Sequence, residues 1–75
     1  MTKYKNLSGE SGISAYESGE DYIRVEFRDQ DVYLYTDKSA GAEHIAEMKR
    51  LAEEGRGLNT YISQNVKANY EKKES

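Results

Sequence analysis

The chain lacks cysteine, proline and tryptophan, and it has no long hydrophobic run. Without cysteine there is neither a disulfide nor a thiolate for metal binding or catalysis. No segment approaches the roughly 20 apolar residues of a membrane-spanning helix, and no N-terminal stretch resembles a signal peptide. We therefore expect a cytoplasmic protein without membrane contacts. Its 75 residues predict a single domain over residues 1–75, which buries only about 60% of its unfolded surface.

The charge balance is slightly acidic, and the aromatic content is mostly tyrosine. There are 11 basic and 14 acidic residues, for a net charge of −3, and seven tyrosines accompany one phenylalanine. A negative net charge disfavours attraction to nucleic acids and to anionic membranes. The tyrosines supply both apolar surface and hydroxyl groups that need hydrogen-bond partners when they are buried.

The two ends of the chain are polar. Residues 1–12 combine serine, asparagine and glycine, which predicts a flexible N-terminal arm with Tyr4 and Leu7 as anchors. Residues 71–75 are charged or polar and predict a frayed tail.

Three segments between these ends carry strand patterns: residues 13–17, 22–28 and 32–36. The second of them alternates, with Ile23, Val25 and Phe27 on one face and charged side chains on the other. Short turn segments separate the three, so consecutive antiparallel pairing is expected.

Two helices are expected after the strands. The first covers residues 40–54, has Ser39 or Asp37 as its N-cap, and carries an apolar stripe at helical spacing. Gly55 ends this helix in the left-handed conformation, and Asn59 is the expected N-cap of the next. The second stripe consists of Leu58, Ile62, Val66 and Tyr70. The predicted fold is therefore α+β, a three-stranded antiparallel β-meander followed by two α-helices packed on one face.

The register of the second hairpin has two solutions. A two-residue turn at Asp29 and Gln30 buries Val32 and Leu34 and exposes the tyrosines of the third strand. A three-residue loop with Gln30 in the left-handed conformation pairs Val25 with Tyr33 and buries the tyrosines instead. A slip of one residue exchanges the two faces completely.

The candidate binding residues depend on this register. If Tyr33 and Tyr35 are exposed beside Tyr22 and Arg24, the sheet face resembles a stacking platform for single-stranded nucleic acid. Arg56, between two glycines at the start of a helix, and Lys67 would add positive charge. The alternative is that these tyrosines belong to the core or to a subunit interface, which an acidic chain favours.

Residues suited to catalysis or metal binding are sparse. His44 is the lone histidine, and no second histidine or cysteine completes a metal site. No serine has a glycine-flanked elbow, and the carboxylates reflect the high charge content rather than a cleft. We therefore expect no enzyme activity, no catalytic residues, no metal and no cofactor.

A set of short motifs in a fixed order resembles the KTSC domain, which takes its name from a C-terminal extension of some lysyl-tRNA synthetases and also occurs in small bacterial and phage proteins. The matching motifs are Ser11 and Ile13, Tyr16, Ile23-x-Val25-x-Phe27, Val32-Tyr33-x-Tyr35 and Gly55-x-x-Leu58-Asn59-x-x-Ile62. They span residues 11–70. The resemblance favours buried tyrosines in the third strand and implies no enzyme activity. It suggests an accessory role in binding nucleic acid or protein.

Two functions follow as hypotheses. The first is a non-enzymatic interaction module that binds another protein or a second copy of itself, as a homodimer, through a sheet edge or the open face. The second is weak binding of single-stranded nucleic acid through the tyrosine and arginine side chains and Arg56.

Overall fold

The computed structural model of the protein describes residues 1–7, 9 and 12–74. Ser11 of the family motif and Ser75 of the predicted tail therefore lie outside the described residues. In chain order the elements are β1 (Thr2–Lys3), β2 (Ile13–Ser18), β3 (Tyr22–Phe27), β4 (Val32–Thr36), α1 (Asp37–Ala40), α2 (Ala42–Glu54), α3 (Leu58–Tyr61), a π-helix (Ile62–Val66) and β5 (Lys72–Lys73).

The strands of the described residues form one antiparallel sheet in the order β1-β2-β3-β4-β5. The α+β class with an antiparallel sheet is thus confirmed. The meander has five strands among these residues instead of three, because short segments from both ends of the chain pair with its outer strands.

The N-terminal segment differs from the predicted arm. Thr2 and Lys3 pair with β2, and the Tyr4 ring is only 2% exposed. Leu7 is 56% exposed, but its backbone N–H donates to the carbonyl of Gly55 at 2.7 Å. Tyr4 lies in the core, as expected of an anchor, since a short chain without tryptophan fills its core with the large rings that it has.

The C-terminal segment also differs from the predicted frayed tail. Lys73 pairs with Tyr33 and Lys72 pairs with Leu34, so β5 covers the free edge of β4. Backbone pairing compensates for the polar composition, because an uncovered edge leaves unpaired N–H and C=O groups.

The hairpin between β3 and β4 has the register that buries the tyrosines. Val25 pairs with Tyr33, and the Phe27 N–H donates to the Asp31 carbonyl at 2.8 Å. Gln30 has a φ of 73°, which is the left-handed conformation that a three-residue loop requires. Tyr33 and Tyr35 therefore lie on the same face as Ile23 and Val25, towards the helices.

The first helical segment begins earlier than expected and is broken. Thr36 is the N-cap of α1, and it forms a reciprocal capping box with Ser39, so neither Ser39 nor Asp37 is the cap. Gly41, with a φ of 98°, then separates α1 from α2. Only glycine adopts this conformation readily, which explains why the helix does not run through residue 41.

Of the two predictions for the connection between α2 and α3, the end of α2 is confirmed and the N-cap of α3 is wrong. Gly55 ends α2 in the left-handed conformation, with a φ of 82°, as expected. The N-cap of α3 is Gly57 rather than Asn59, and it makes no side-chain capping bond. The chain continues into the π-helix, which keeps both Ile62 and Val66 buried.

The core lies between one face of the sheet and the helices. Its buried members are Tyr4, Ile13, Ile23, Val25, Tyr35, Ile45, Met48, Ala52, Leu58, Ile62 and Val66. The other face of the sheet has no helix packed on it among the described residues, and it is the surface on which the candidate site lies.

Candidate functional site

The outer face of the sheet is defined by the residues that the strand register places opposite the core. Its members are Lys3, Ala15, Glu17, Tyr22, Arg24, Glu26, Val32, Leu34, Thr36 and Lys72, together with Glu74. Alternation along β3 explains the polarity of this face, because Tyr22, Arg24 and Glu26 alternate with the buried Ile23 and Val25.

Arg24 is the centre of the outer face. Its Nη1 donates to Glu17 Oε2 at 3.0 Å, and its Nε donates to Glu74 Oε1 at 2.7 Å. The guanidinium also lies 5.0 Å from the centroid of the Tyr22 ring, and the Tyr22 hydroxyl donates to Glu17 at 3.1 Å. The hydrogen bond to Glu74, more than any other contact, raises the pKa of Arg24 above its usual value. The cation is thus held in place and neutralised by two carboxylates.

Two aliphatic side chains lie next to this ion-pair network. Leu34 is directly opposite Arg24 on one side and Lys72 on the other, and Val32 is directly opposite Glu26. Both are half-buried, because the long charged side chains beside them cover part of their surface. The outer face therefore combines an aliphatic centre with charged groups of both signs.

Tyr33 and Tyr35 are on the opposite side of the sheet from Tyr22 and Arg24. Tyr35 is 1% exposed, and this burial raises its pKa to about 12. The ring of Tyr33 packs edge-on against Phe27, and Tyr70 stacks on it. Tyr35 thus belongs to the core, the half-buried Tyr33 packs against it, and neither forms a platform with Arg24.

Arg56 and Lys67 are both exposed and lie in the helical layer, away from the outer face. Arg56 is between Gly55 and Gly57, just before the backbone N–H groups at the start of α3. The Leu58 N–H, which an anion would need at the start of α3, instead donates to the Tyr4 hydroxyl at 3.4 Å. The six predicted binding residues therefore divide into an outer-face pair, a pair on the core side of the sheet and two separate surface cations.

His44 has a structural partner. Its Nδ1 is 2.5 Å from the Tyr61 hydroxyl, a contact that joins α2 to α3. Burial, followed by the nearby charges of Glu47 and Glu43, raises the pKa of Tyr61. Within the described residues, no group of three or more histidine, cysteine, aspartate or glutamate side chains is arranged to hold a metal ion.

The sequence did not predict two residues of the outer face, Glu17 and Glu74. Glu17 is one of them, although its alternation along β2 with Tyr16 would have placed it beside Arg24 once the first hairpin was aligned. Glu74 is the other, and no local pattern points to it, because its contact with Arg24 spans 50 positions of the chain.

Comparison with known proteins returned no match. No family model matches the chain, and neither a curated protein nor a solved structure is significantly similar to it. Among the described residues, the helices are all too short or too polar to cross a lipid bilayer.

Proposed function

We propose that this protein is a small, non-enzymatic interaction module that associates with a second copy of itself through the outer face of the sheet. The observation that carries the proposal is the charge of that face. Its cations are Lys3, Arg24 and Lys72, and its carboxylates are Glu17, Glu26 and Glu74. The outer face is thus neutral within the described residues, although the whole chain carries −3.

A neutral face of mixed sign suits a twofold interface. In such a dimer the same patch meets itself, so a surface of one sign would repel its copy. In a twofold dimer through this face, the cations of one protomer would meet carboxylates of its partner, and Leu34 and Val32 would supply apolar area at the centre. Strands spaced about 4.8 Å apart make this face about 20 Å wide, a size that suits a weak, reversible dimer and not a permanent one.

The sheet edges favour the face over edge pairing as the contact surface. The edge strands β1 and β5 each have two residues, and they carry Lys3, Lys72 and Lys73. Short edge strands rich in lysine are the usual protection against pairing with another sheet.

The proposal is tested by sedimentation equilibrium over a concentration series with the wild type, Leu34→Glu and Ala46→Glu. Both substitutions add one negative charge, but Leu34 is at the centre of the outer face and Ala46 is exposed on α2. We expect the mass of the wild type and of Ala46→Glu to rise towards that of two chains. Leu34→Glu should stay monomeric while keeping its fold, since the new carboxylate lies between Arg24 and Lys72.

A strictly monomeric wild type at all concentrations would contradict the proposal. So would a Leu34→Glu variant that dimerises as well as the wild type, because the contact would then lie elsewhere. Circular dichroism of all three chains distinguishes loss of association from loss of fold.

Binding of single-stranded nucleic acid has less support. Of the predicted residues, Tyr22 and Arg24 lie together, and Arg24 is already paired with two carboxylates. Affinity for a labelled oligonucleotide that falls with salt would favour this alternative. Membership of the KTSC domain family and a cytoplasmic location remain proposals that rest on the sequence motifs and composition.

A further inference from the structure

The C-terminal segment, residues 70–74, is bound along β4 in the manner of a docked peptide. The Tyr70 ring stacks on Tyr33 with centroids 4.8 Å apart and planes 11° apart. It also meets Tyr35 edge-on at 6.4 Å. This aromatic contact anchors the first residue of the segment over the end of the core.

Backbone bonds hold the rest of the segment as a strand. The Glu71 N–H donates to the Leu34 carbonyl and the Glu74 N–H donates to the Val32 carbonyl, both at 2.7 Å. This is strand addition, in which the backbone supplies affinity and alternate side chains supply specificity.

Side chains along the segment meet complementary groups of the sheet. The Thr36 hydroxyl donates to Glu71 Oε1 at 2.8 Å, and Arg24 donates to Glu74 at 2.7 Å. Lys73 Nζ is 3.6 Å from Asp31 Oδ2 and 5.9 Å from the centroid of the Tyr33 ring. The sheet thus contacts four side chains of the segment, which are, in chain order, an aromatic ring, a carboxylate, a lysine and a second carboxylate.

The segment is weakly retained compared with the rest of the fold. Residues 67–74 are all exposed, whereas Val66 just before them is fully buried. The strand has two residues, and its ion pairs are at the surface, where each contributes little. Local opening is therefore expected to start here, and it would uncover the β4 carbonyls and the Tyr33 ring.

We infer that the edge of β4 is a docking site for an extended segment of a partner protein, and that residues 70–74 are a displaceable strand covering it. The partner segment begins with an aromatic residue. Counted from that residue, the next position is a carboxylate, the third position after it is a lysine, and the fourth is a second carboxylate. It runs antiparallel to β4. This site is the strand edge and not the outer face, but the covering segment supplies Lys72 and Glu74 to the outer face, so its displacement would remove both from that face.

A free peptide must compete with the attached strand for the β4 edge, and this competition determines the apparent affinity of the peptide. A tethered segment has an effective local concentration in the millimolar range, so a free peptide binds more weakly than it would to an open site. Weakening the attached segment should therefore tighten binding of the free one. Loss of the Tyr70 stack should strengthen peptide binding about twofold to tenfold, the factor that an aromatic pair supplies.

The test uses the ¹⁵N-labelled full chain and a synthetic peptide with the sequence Asn-Tyr-Glu-Lys-Lys-Glu, which is that of residues 69–74. We expect saturable shifts of the β4 amides, with tighter binding to the Tyr70→Ala chain than to the wild type. A peptide of the same composition in scrambled order is the matched control, and it should not bind. Glu74→Gln, which weakens the Arg24 pair, serves as a second chain in case Tyr70→Ala does not fold.

Several results would overturn the inference. One is a folded Tyr70→Ala or Glu74→Gln chain whose β4 amides do not respond to the peptide. Another is equal affinity of the wild type and the weakened chains, or of the ordered and scrambled peptides. A dimer that forms by exchange of this segment between two copies, and that the peptide dissociates, would assign the site to a second copy instead of a partner protein.

Discussion

The buried ring of Tyr35 makes the stability of the protein sensitive to alkaline pH. Burial raises the pKa of Tyr35 from 10.0 to about 12. Between these two values the unfolded phenol loses its proton while the folded one keeps it, so stability is complete below pH 10 and falls as the pH rises to 12. The loss amounts to about 2 to 3 kcal/mol for two pH units.

Urea unfolding at pH 8, 10 and 11.5 checks this prediction. The free energy of unfolding of the wild type should fall across the series, and Tyr35→Phe should lose less because its ring cannot ionise. The same loss in Tyr35→Phe as in the wild type would show that other groups cause the alkaline destabilisation.

Alanine substitutions at Gly55 and Gly57 allow the free-energy cost of backbone strain to be measured apart from the cost of a steric clash. Their φ angles are 82° and 80°, so an alanine at either position is strained by about 1 kcal/mol. A Cβ at Gly55 would lie 2.5 Å from Lys5 Cβ, whereas a Cβ at Gly57 would lie 3.6 Å from the nearest Leu51 carbon.

We therefore expect Gly55→Ala to lower the free energy of unfolding by about 2 kcal/mol more than Gly57→Ala does, since overpacking adds to the strain. Denaturant unfolding of both variants measures the difference. Equal losses would mean that the N-terminal segment moves away from residue 55 at no cost.

At the scale of elements, the hairpin between β3 and β4 has a loop that glycine would fit better. Gln30 has a φ of 73°, a conformation that costs a residue with a side chain about 1 kcal/mol. Gln30→Gly should raise the free energy of unfolding by up to about 1 kcal/mol, because the strain exceeds the extra flexibility that glycine adds to the unfolded chain.

Asp29→Gly is the matched control in the same loop. Asp29 is not among the described residues with a positive φ, and its Oδ1 accepts the Asp31 N–H at 3.2 Å. This substitution should lower stability, as judged by thermal unfolding of both variants. A stabilised Asp29→Gly, or a destabilised Gln30→Gly, would contradict the assigned loop conformation.

The elements that the sequence predicts well are those with a local pattern. The strand of Ile23 and Val25 alternates over one face, and Gly55 marks the end of α2, so both follow from side-chain periodicity and backbone freedom. The cap at Thr36 is harder, because Asp37 and Ser39 beside it are also capable of capping. The break at Gly41 is harder because a single glycine is also tolerated inside a helix. The candidate site was predictable only for Tyr22 and Arg24, since Glu74 reaches them through tertiary structure alone.

At the scale of the whole molecule, the two ends of the chain are the outermost strands of the sheet, yet they differ in what they contribute. Tyr4 lies just after β1 and is 2% exposed within the core. Tyr70 lies just before β5 and is 39% exposed. The sequence predicts Tyr4 as an anchor of the N-terminal arm and a frayed C-terminal tail, but the near-complete burial of Tyr4 depends on its contact with Leu58, far along the chain.

This difference predicts an asymmetric response to truncation. A chain that begins at Lys5 loses the Tyr4 ring, and the cavity costs about 3 to 5 kcal/mol, as for other buried aromatic residues. A domain of this length has a total stability of only about 4 to 11 kcal/mol. A chain that ends at Asn69 loses the Tyr70 stack and surface ion pairs, about 1 to 2 kcal/mol. Protease resistance and the urea midpoint should therefore fall strongly for the first truncation and modestly for the second.

Equal losses for the two truncations, or a larger loss at the C-terminus, would mean that residues 70–74 are an integral strand of the fold. The β4 edge would then have no displaceable cover.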